Sequence, residues 1–168
     1  SAAIAVEELI HCGADTFIRI GTAGRVCEES QDEELMGVIA TAAVRDEGCS
    51  GEYVPYSYPA VADRHIVAAL ADSAREKGYC FREGIVHCKD SFYGQIDPDG
   101  LPNGEELKRK WGIWEKSRVM ASEMESAILL VIASIRGCRA GSILSFGSME
   151  QTVETVYAAL EKLMEQDG

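Results

Sequence analysis

Two glutamates flank a methionine directly before a long apolar run. Of all the patterns in the chain, this one most clearly has residue types suited to binding or catalysis. Glu123-Met124-Glu125 precedes residues 127–133, a run too long for an ordinary strand and rich in helix formers. Ser122 is placed as an N-cap, with Glu125 three residues later as its capping-box partner. Either both acids only cap the helix and complement its dipole, or one carboxylate faces a pocket. In the second interpretation the carboxylate accepts hydrogen bonds from vicinal sugar hydroxyls, and Met124 packs on the apolar side of the sugar.

An arginine followed by two glycines forms a second pattern with residue types suited to ligand binding. Residues 15–22 are typical of a short buried strand, which then breaks into the Gly21-Thr22-Ala23-Gly24 turn. Arg19 inside this strand costs free energy unless it is paired, and a turn with two glycines lets backbone N–H groups point at a ligand. The pattern predicts an anion site. A structural ion pair before an ordinary glycine turn fits the same residues.

Aromatic and amide side chains follow a third predicted strand, over residues 79–88. The loop after a strand is where α/β folds place ligand residues, and here it carries Phe92, Tyr93 and Gln95. The two rings can stack on a planar ligand, while Gln95 offers a donor and an acceptor to one edge of a base. The alternative is an aromatic pair that covers the core beneath a loop.

Alternating strands and helices must position these three patterns. The order predicts an α/β sandwich with a mixed or mostly parallel sheet, in a single domain over residues 1–168. The first helix should turn Ile4, Leu9 and the small Ala2, Ala3 and Ala5 inward. Residues 45–48 should form a polar turn, and Trp111 and Trp114 should face inward. Strands are predicted at residues 15–22, 35–44, 79–88 and 138–145, and helices at residues 2–12, 63–77, 105–116, 127–133 and 151–165.

Composition narrows the class of function. The formal charge of −12 over 168 residues argues against non-specific binding to nucleic acid or to an anionic membrane surface. No stretch is apolar for long enough to cross a bilayer, and the first residues lack a signal-peptide pattern, so a cytoplasmic location is expected. The six cysteines lack zinc-ligand spacing, which predicts reduced thiols and no metal site.

Together these residues resemble the nucleoside phosphorylase family, and within it the uridine phosphorylases. The resemblance implies a three-layer α/β/α sandwich with a mixed central sheet, and reversible cleavage of uridine by phosphate to uracil and ribose 1-phosphate. It also implies no cofactor, phosphate as co-substrate, and dimers assembled into a homo-hexamer with a structural potassium ion between subunits. Six segments carry the resemblance, in family order: residues 5–9, 17–24, 42–48, 58–63, 90–95 and 122–127.

The resemblance also implies a role for each matching residue. Arg19 and Thr22 would bind phosphate, and the catalytic set would be Arg19, Gln95 and Glu125. Phosphate held there can attack the anomeric carbon, and its charge stabilises an oxocarbenium-like sugar. The nucleoside would be bound by Thr22, Ala23, Gly24, Phe92, Gln95, Glu123, Met124 and Glu125.

Three departures from the family pattern keep other functions open. The family's first strands, with a glycine-rich phosphate loop, have no counterpart before Ser1, and Ile96 stands near where many uridine phosphorylases place an arginine. The link from Ser145 to Met149 is short; it lacks the aspartate that purine-specific relatives use, which favours a pyrimidine substrate. The alternatives are a purine nucleoside phosphorylase, a nucleosidase that uses water, or a non-catalytic fragment that only binds nucleosides.

Overall fold

The computed structural model describes all residues 1–168, which form seven strands and six α-helices. Every predicted strand and helix is present, and the short elements β2, β4, β6 and α3 are additional. The strands are β1 Thr16–Thr22, β2 Gly24–Arg25, β3 Gly37–Asp46, β4 Ala60–Val61, β5 Phe81–Lys89, β6 Ala121–Glu123 and β7 Arg139–Ser145. The helices are α1 Ala2–His11, α2 Arg64–Glu76, α3 Tyr93–Ile96, α4 Gly104–Lys116, α5 Ser126–Arg136 and α6 Glu150–Asp167.

The strands form one mixed sheet in the order β1-β7-β3-β5-β6-β2, with β4 paired to β3. The pairs β1–β7, β3–β5 and β5–β6 are parallel, whereas β7–β3, β3–β4 and β6–β2 are antiparallel. Strands β1 and β2 lie at opposite ends of this order, yet only Ala23 separates them in the chain. The sheet therefore curls, and the end of β1 meets the end of β6.

Helices cover both faces of the sheet, which confirms the predicted three-layer α/β/α sandwich. Neighbouring residues of β7 identify the two faces. A Cβ added to Gly141 would meet Ile66 of α2 at 2.4 Å, whereas the next residue, Ser142, accepts a 2.9 Å hydrogen bond from the hydroxyl of Ser126 of α5. Helices α1 and α5 thus cover one face, and α2 and α6 cover the other.

The buried core lies between these layers and is built largely from α5 and the central strands. Seven consecutive residues of α5, from 127 to 133, are buried, as expected for a helix that is apolar on every side. Strand β3 adds Val38, Ile39 and Ala40, which are fully buried on alternating faces of the sheet. All six cysteines are free thiols, as predicted, and no helix combines the length and apolar composition needed to cross a membrane.

The structure corrects two local predictions. In α1 the inward residues are Ala3 and Val6, whereas Ile4 and Leu9 are 69% and 50% exposed. Helix α1 packs against α5 through its small side, so the larger residues point away. Residues 45–48 do not form a turn of their own, because β3 continues to Asp46 in parallel register with β5.

Candidate active site

Arg19 lies in β1 and faces the start of α5, where the curled sheet brings the two predicted acidic residues to it. Its Nη2 donates to the carboxylate of Glu125 and lies 3.2 Å from Oε2 of Glu123. The arginine side chain is 17% exposed, and its Nη1 is buried without a partner in the protein. The guanidinium is therefore only partly satisfied by groups of the protein.

The two glutamates divide the two roles that the sequence left open. Glu123 is 4% exposed and caps α5, because its carboxylate accepts hydrogen bonds from the backbone N–H groups of Glu125 and Ser126 at 2.9–3.0 Å. Glu125 stands at the N-cap position but makes no capping hydrogen bond, and its side chain is 42% exposed. One acid fixes the helix, and the other faces outward beside Arg19.

The predicted capping box is therefore wrong. Ser122 belongs to β6, is buried, and bonds to His87 and Lys89 instead of the helix. Three residues of β6 pair with β5, so the helix begins at Ser126, later than an N-cap at Ser122 would require, and Glu123 is the residue at capping distance.

The segment of residues 21–24 is extended and does not form the predicted turn. Strand β1 runs to Thr22, and the N–H of Ala23 donates to the carbonyl of Ser145 at 3.0 Å instead of pointing at a ligand. Both glycines leave room for a side chain to approach the backbone closely. A Cβ on Gly21 would lie 2.4 Å from the guanidinium of Arg19, and a Cβ on Gly24 would lie 3.2 Å from the side-chain nitrogen of Gln95.

The residues after β5 lie on the same side of the molecule as Gly24. Gln95 sits in the short helix α3 with its amide against Gly24, so the structure brings the predicted base-binding glutamine to the end of β1. Phe92 and Tyr93 are 54% and 67% exposed and contact each other edge to face, with centroids 5.7 Å apart. An aromatic pair that covers the core would be buried, and this pair is not.

A cavity of about 390 Å³ opens beyond Gln95, between the end of β5 and helix α4. His87 forms its inner wall, stacked on Trp114 at 5.4 Å and hydrogen-bonded to Ser122 and Asp46. Asp46 also accepts from Lys110 at 2.5 Å. Burial alone would raise the pKa of Asp46, but these two hydrogen bonds outweigh burial and lower it.

Sequence reasoning missed Lys89, His87 and Asp46. Lys89 ends β5, is 8% exposed, and also lines the cavity. The signal was present in the strand, because a histidine and a lysine alternate with Val86 and Cys88 where a buried strand should be apolar. Trp111 and Trp114 were predicted to face inward; they face this cavity, and α4 lies outside the sandwich.

The structure brings predicted site residues together in two clusters. Arg19, Glu123 and Glu125 are in direct contact, and Gln95 contacts Gly24. Thr22 and Met124 adjoin these clusters in the chain; Thr22 is exposed at the end of β1, and Met124 is half-buried. A guanidinium beside an accessible carboxylate can bind an anion and a hydroxylated ligand side by side.

Comparisons with known proteins agree with this geometry. The family model described as "Phosphorylase superfamily" matches residues 1–165. A uridine phosphorylase of Treponema pallidum is 49% identical over 146 residues, which cover 86% of this chain and 55% of that protein.

Two other relatives are also named phosphorylases, one of them for a different nucleoside. A uridine phosphorylase of Thermococcus kodakarensis is 44% identical over 147 residues, which cover 85% of this chain and 52% of the relative. A guanosine phosphorylase of Halorubrum lacusprofundi is 34% identical over 143 residues, with 85% and 54% covered. The chain spans about half the length of the curated relatives it matches.

The different roles of the two glutamates predict different costs of removing them. Glu123→Ala should lower the free energy of unfolding by about 1–2 kcal/mol, because two backbone N–H groups at the start of a buried helix lose their acceptor. Glu125→Ala should cost clearly less, since its carboxylate caps nothing. Urea unfolding of both variants measures the difference, and equal losses would contradict the assignment of the cap to Glu123.

Proposed function

The chain belongs to the phosphorylase superfamily, and we propose that it carries the nucleoside site of a uridine phosphorylase. In this reaction phosphate cleaves uridine to uracil and ribose 1-phosphate. The observation that carries the proposal is the buried, unpartnered Nη1 of Arg19, held beside the accessible carboxylate of Glu125. The relatives that are named uridine phosphorylases, at 49% and 44% identity, support the choice of substrate.

Phosphate is proposed to bind at Arg19 and Thr22. The guanidinium is pre-positioned by Glu123, which holds Nη2 and leaves Nη1 without a partner. The hydroxyl of Thr22 is exposed at the end of the same strand, three residues further on. An arginine and a hydroxyl at the end of one strand supply charge and direction to a tetrahedral anion.

The ribose is proposed to bind at Glu125, with Met124 on its apolar side and Glu123 behind them. The outward carboxylate of Glu125 can accept hydrogen bonds from two vicinal hydroxyls, because it makes no capping hydrogen bond to α5. In the structure it pairs with Arg19, so the ligands must replace that pair. Phosphate on Arg19 and hydroxyls on Glu125 would each satisfy one partner.

The base is proposed to lie beyond the ribose, over Ala23 and Gly24 and towards Gln95. The missing side chain of Gly24 leaves the approach to the Gln95 amide open. Gln95 can pair with one base edge, and the exposed ring of Phe92 is available to stack.

The proposed reaction is a direct displacement, which needs no covalent enzyme intermediate. A phosphate oxygen forms a bond to C1′ as the bond from C1′ to the base nitrogen breaks, and the bonding electron pair leaves with the base. Arg19 orients the phosphate, and the negative phosphate stabilises positive charge on the sugar. Gln95 hydrogen-bonds the base as it becomes negative.

A purine substrate is the second candidate, because one relative at 34% identity is named a guanosine phosphorylase. The segment after β7, Phe146-Gly147-Ser148, carries no carboxylic acid that could protonate a purine nitrogen. This composition supports a pyrimidine base, whose carbonyl oxygens can hold the negative charge without protonation.

Substrate profiling tests the proposal directly. The purified protein should release base from uridine only when phosphate is present, and much more slowly from guanosine or inosine. Base release is followed by chromatography with and without phosphate. Cleavage of uridine without phosphate would indicate a nucleosidase, and faster release of guanine would favour the purine alternative.

Glu125→Gln tests the ribose contact. The substitution should lower kcat/KM for uridine at least about tenfold, because a hydrogen bond to a charged group is worth about 1.5–3 kcal/mol. Phosphate affinity should be kept or increased, since Arg19 loses a competing carboxylate. Glu161→Gln, on the exposed side of α6, is the matched control. Unchanged kinetics in Glu125→Gln would remove the ribose role.

The assembled protein is proposed to be a cytoplasmic homo-oligomer, with dimers arranged as a hexamer and a structural potassium ion between subunits. Exposed apolar side chains on two helices support an assembly: Ile4 on α1 and Tyr157 and Met164 on α6, each more than two-thirds exposed at 69%, 68% and 73%. The six free thiols fit a reducing compartment.

Light scattering in potassium chloride tests this assembly. The protein should have a mass several times that of the 18.2 kDa chain, and replacement of potassium by choline should lower that mass because the subunit contact loses its cation. A monomer in both salts would contradict the proposal.

A further inference from the structure

Lys89 is a buried cation at the end of β5 whose charge no carboxylate neutralises directly. The side chain is 8% exposed, and its Nζ donates one hydrogen bond, to Ser122 Oγ at 2.7 Å. A buried ammonium normally pairs with a carboxylate, because desolvation of the charge is costly. An ammonium has three donors, so two of them stay available towards the cavity.

The other cations of the same cavity are already neutralised. Lys110 pairs with Asp46 at 2.5 Å, and Lys108 pairs with Asp99 at 2.6 Å. His87 has both ring nitrogens engaged, with Ser122 and Asp46. Among the lysines that line the cavity, Lys89 is thus the one without a carboxylate partner.

Lys89 and the proposed base-binding glutamine face the same space. Both side chains line the 390 Å³ cavity. The strands also place them together, because Ser122, the partner of Lys89, lies opposite Gly24 in the β2–β6 ladder. Gly24 in turn leaves room for the amide of Gln95, which lies 3.2 Å from where a Cβ would be.

The surrounding charges hold the ammonium in place without pairing with it. Burial lowers the pKa of Lys89, while the nearby carboxylates of Glu123 and Glu125 act in the opposite direction and favour its charged form. Geometry places the lysine between these acids and the cavity, because its partner Ser122 directly precedes Glu123 in β6 and its side chain lines the cavity with Gln95.

We propose that Lys89 is a further catalytic residue of the proposed reaction: its ammonium donates a hydrogen bond to a carbonyl oxygen of the pyrimidine and stabilises the leaving base. This assignment rests on the proposed function. As the bond from C1′ to N1 breaks, its electron pair stays on the base and spreads to the carbonyl oxygens. The new bond forms between C1′ and a phosphate oxygen. Lys89 keeps its proton in this step, and the base anion takes a proton from solvent afterwards.

Binding of free pyrimidines to the 168-residue chain separates this role from a structural one. The probes are uracil and 5-nitrouracil, whose nitro group makes it an anion at neutral pH. Wild type should bind the anion about tenfold to a hundredfold more tightly than uracil, since hydrogen bonds to charged groups gain that much. Lys89→Met, which keeps the length and removes the charge, should lose this preference.

Lys108→Met is the matched control, because it removes a cation that lines the same cavity but is paired with acids. It should keep the preference of wild type for the anion, as measured by titration calorimetry. A folded Lys89→Met variant that retains the preference would overturn the assignment of Lys89 alone. If folded wild type binds neither pyrimidine, the proposed function itself fails and the assignment fails with it.

Discussion

The site depends on the need to neutralise a guanidinium that the sheet has buried. Arg19 lies in a strand between packed layers, where an unpaired charge would be costly, and the acids that satisfy it come from more than 100 residues away in the chain. Only the curl of the sheet makes this pairing possible, because it brings the end of β1 to β6 and the start of α5. Glu123 fixes that junction by capping the helix and holding Arg19 with one carboxylate.

Because Glu123 is fixed as the cap of α5, Glu125 is the acid that can exchange partners. Arg19 is paired with both Glu123 and Glu125, so its positive charge is balanced within the protein. A phosphate on Arg19 weakens its hold on Glu125, and sugar hydroxyls on Glu125 weaken its hold on Arg19. Each ligand therefore lowers the cost of binding the other, and by linkage the effect is reciprocal. Under the proposed function this coupling favours a site that is filled by both substrates together.

The sequence predicted the elements well, because apolar periodicity is a local property, but it misassigned features that depend on strand pairing. Arg19, Glu123 and Glu125 were identified because a charged side chain in or beside a buried element costs free energy unless it is paired. Ser122 was expected to cap a helix, since nothing local reveals that three residues of β6 pair with β5. Gly21 and Gly24 were expected to form a turn, yet they make room for side chains from elsewhere. In each case the expected local geometry was wrong, because the contacts of the residue are long-range.

Lys89 illustrates the limit of local reasoning most clearly. A lysine at the end of a strand normally reaches solvent, and the pattern of β5 does not show which element would cover it. Lys89 is buried and shares a face of β5 with His87, against which Trp111 and Trp114 of α4, some twenty residues further along, pack. The same helix forms the outer wall of the cavity next to Gln95. The helix that packs on this end of β5 thus also walls the cavity that Lys89 lines, and an ammonium shielded from bulk water interacts more strongly with a negative ligand than one in open solvent.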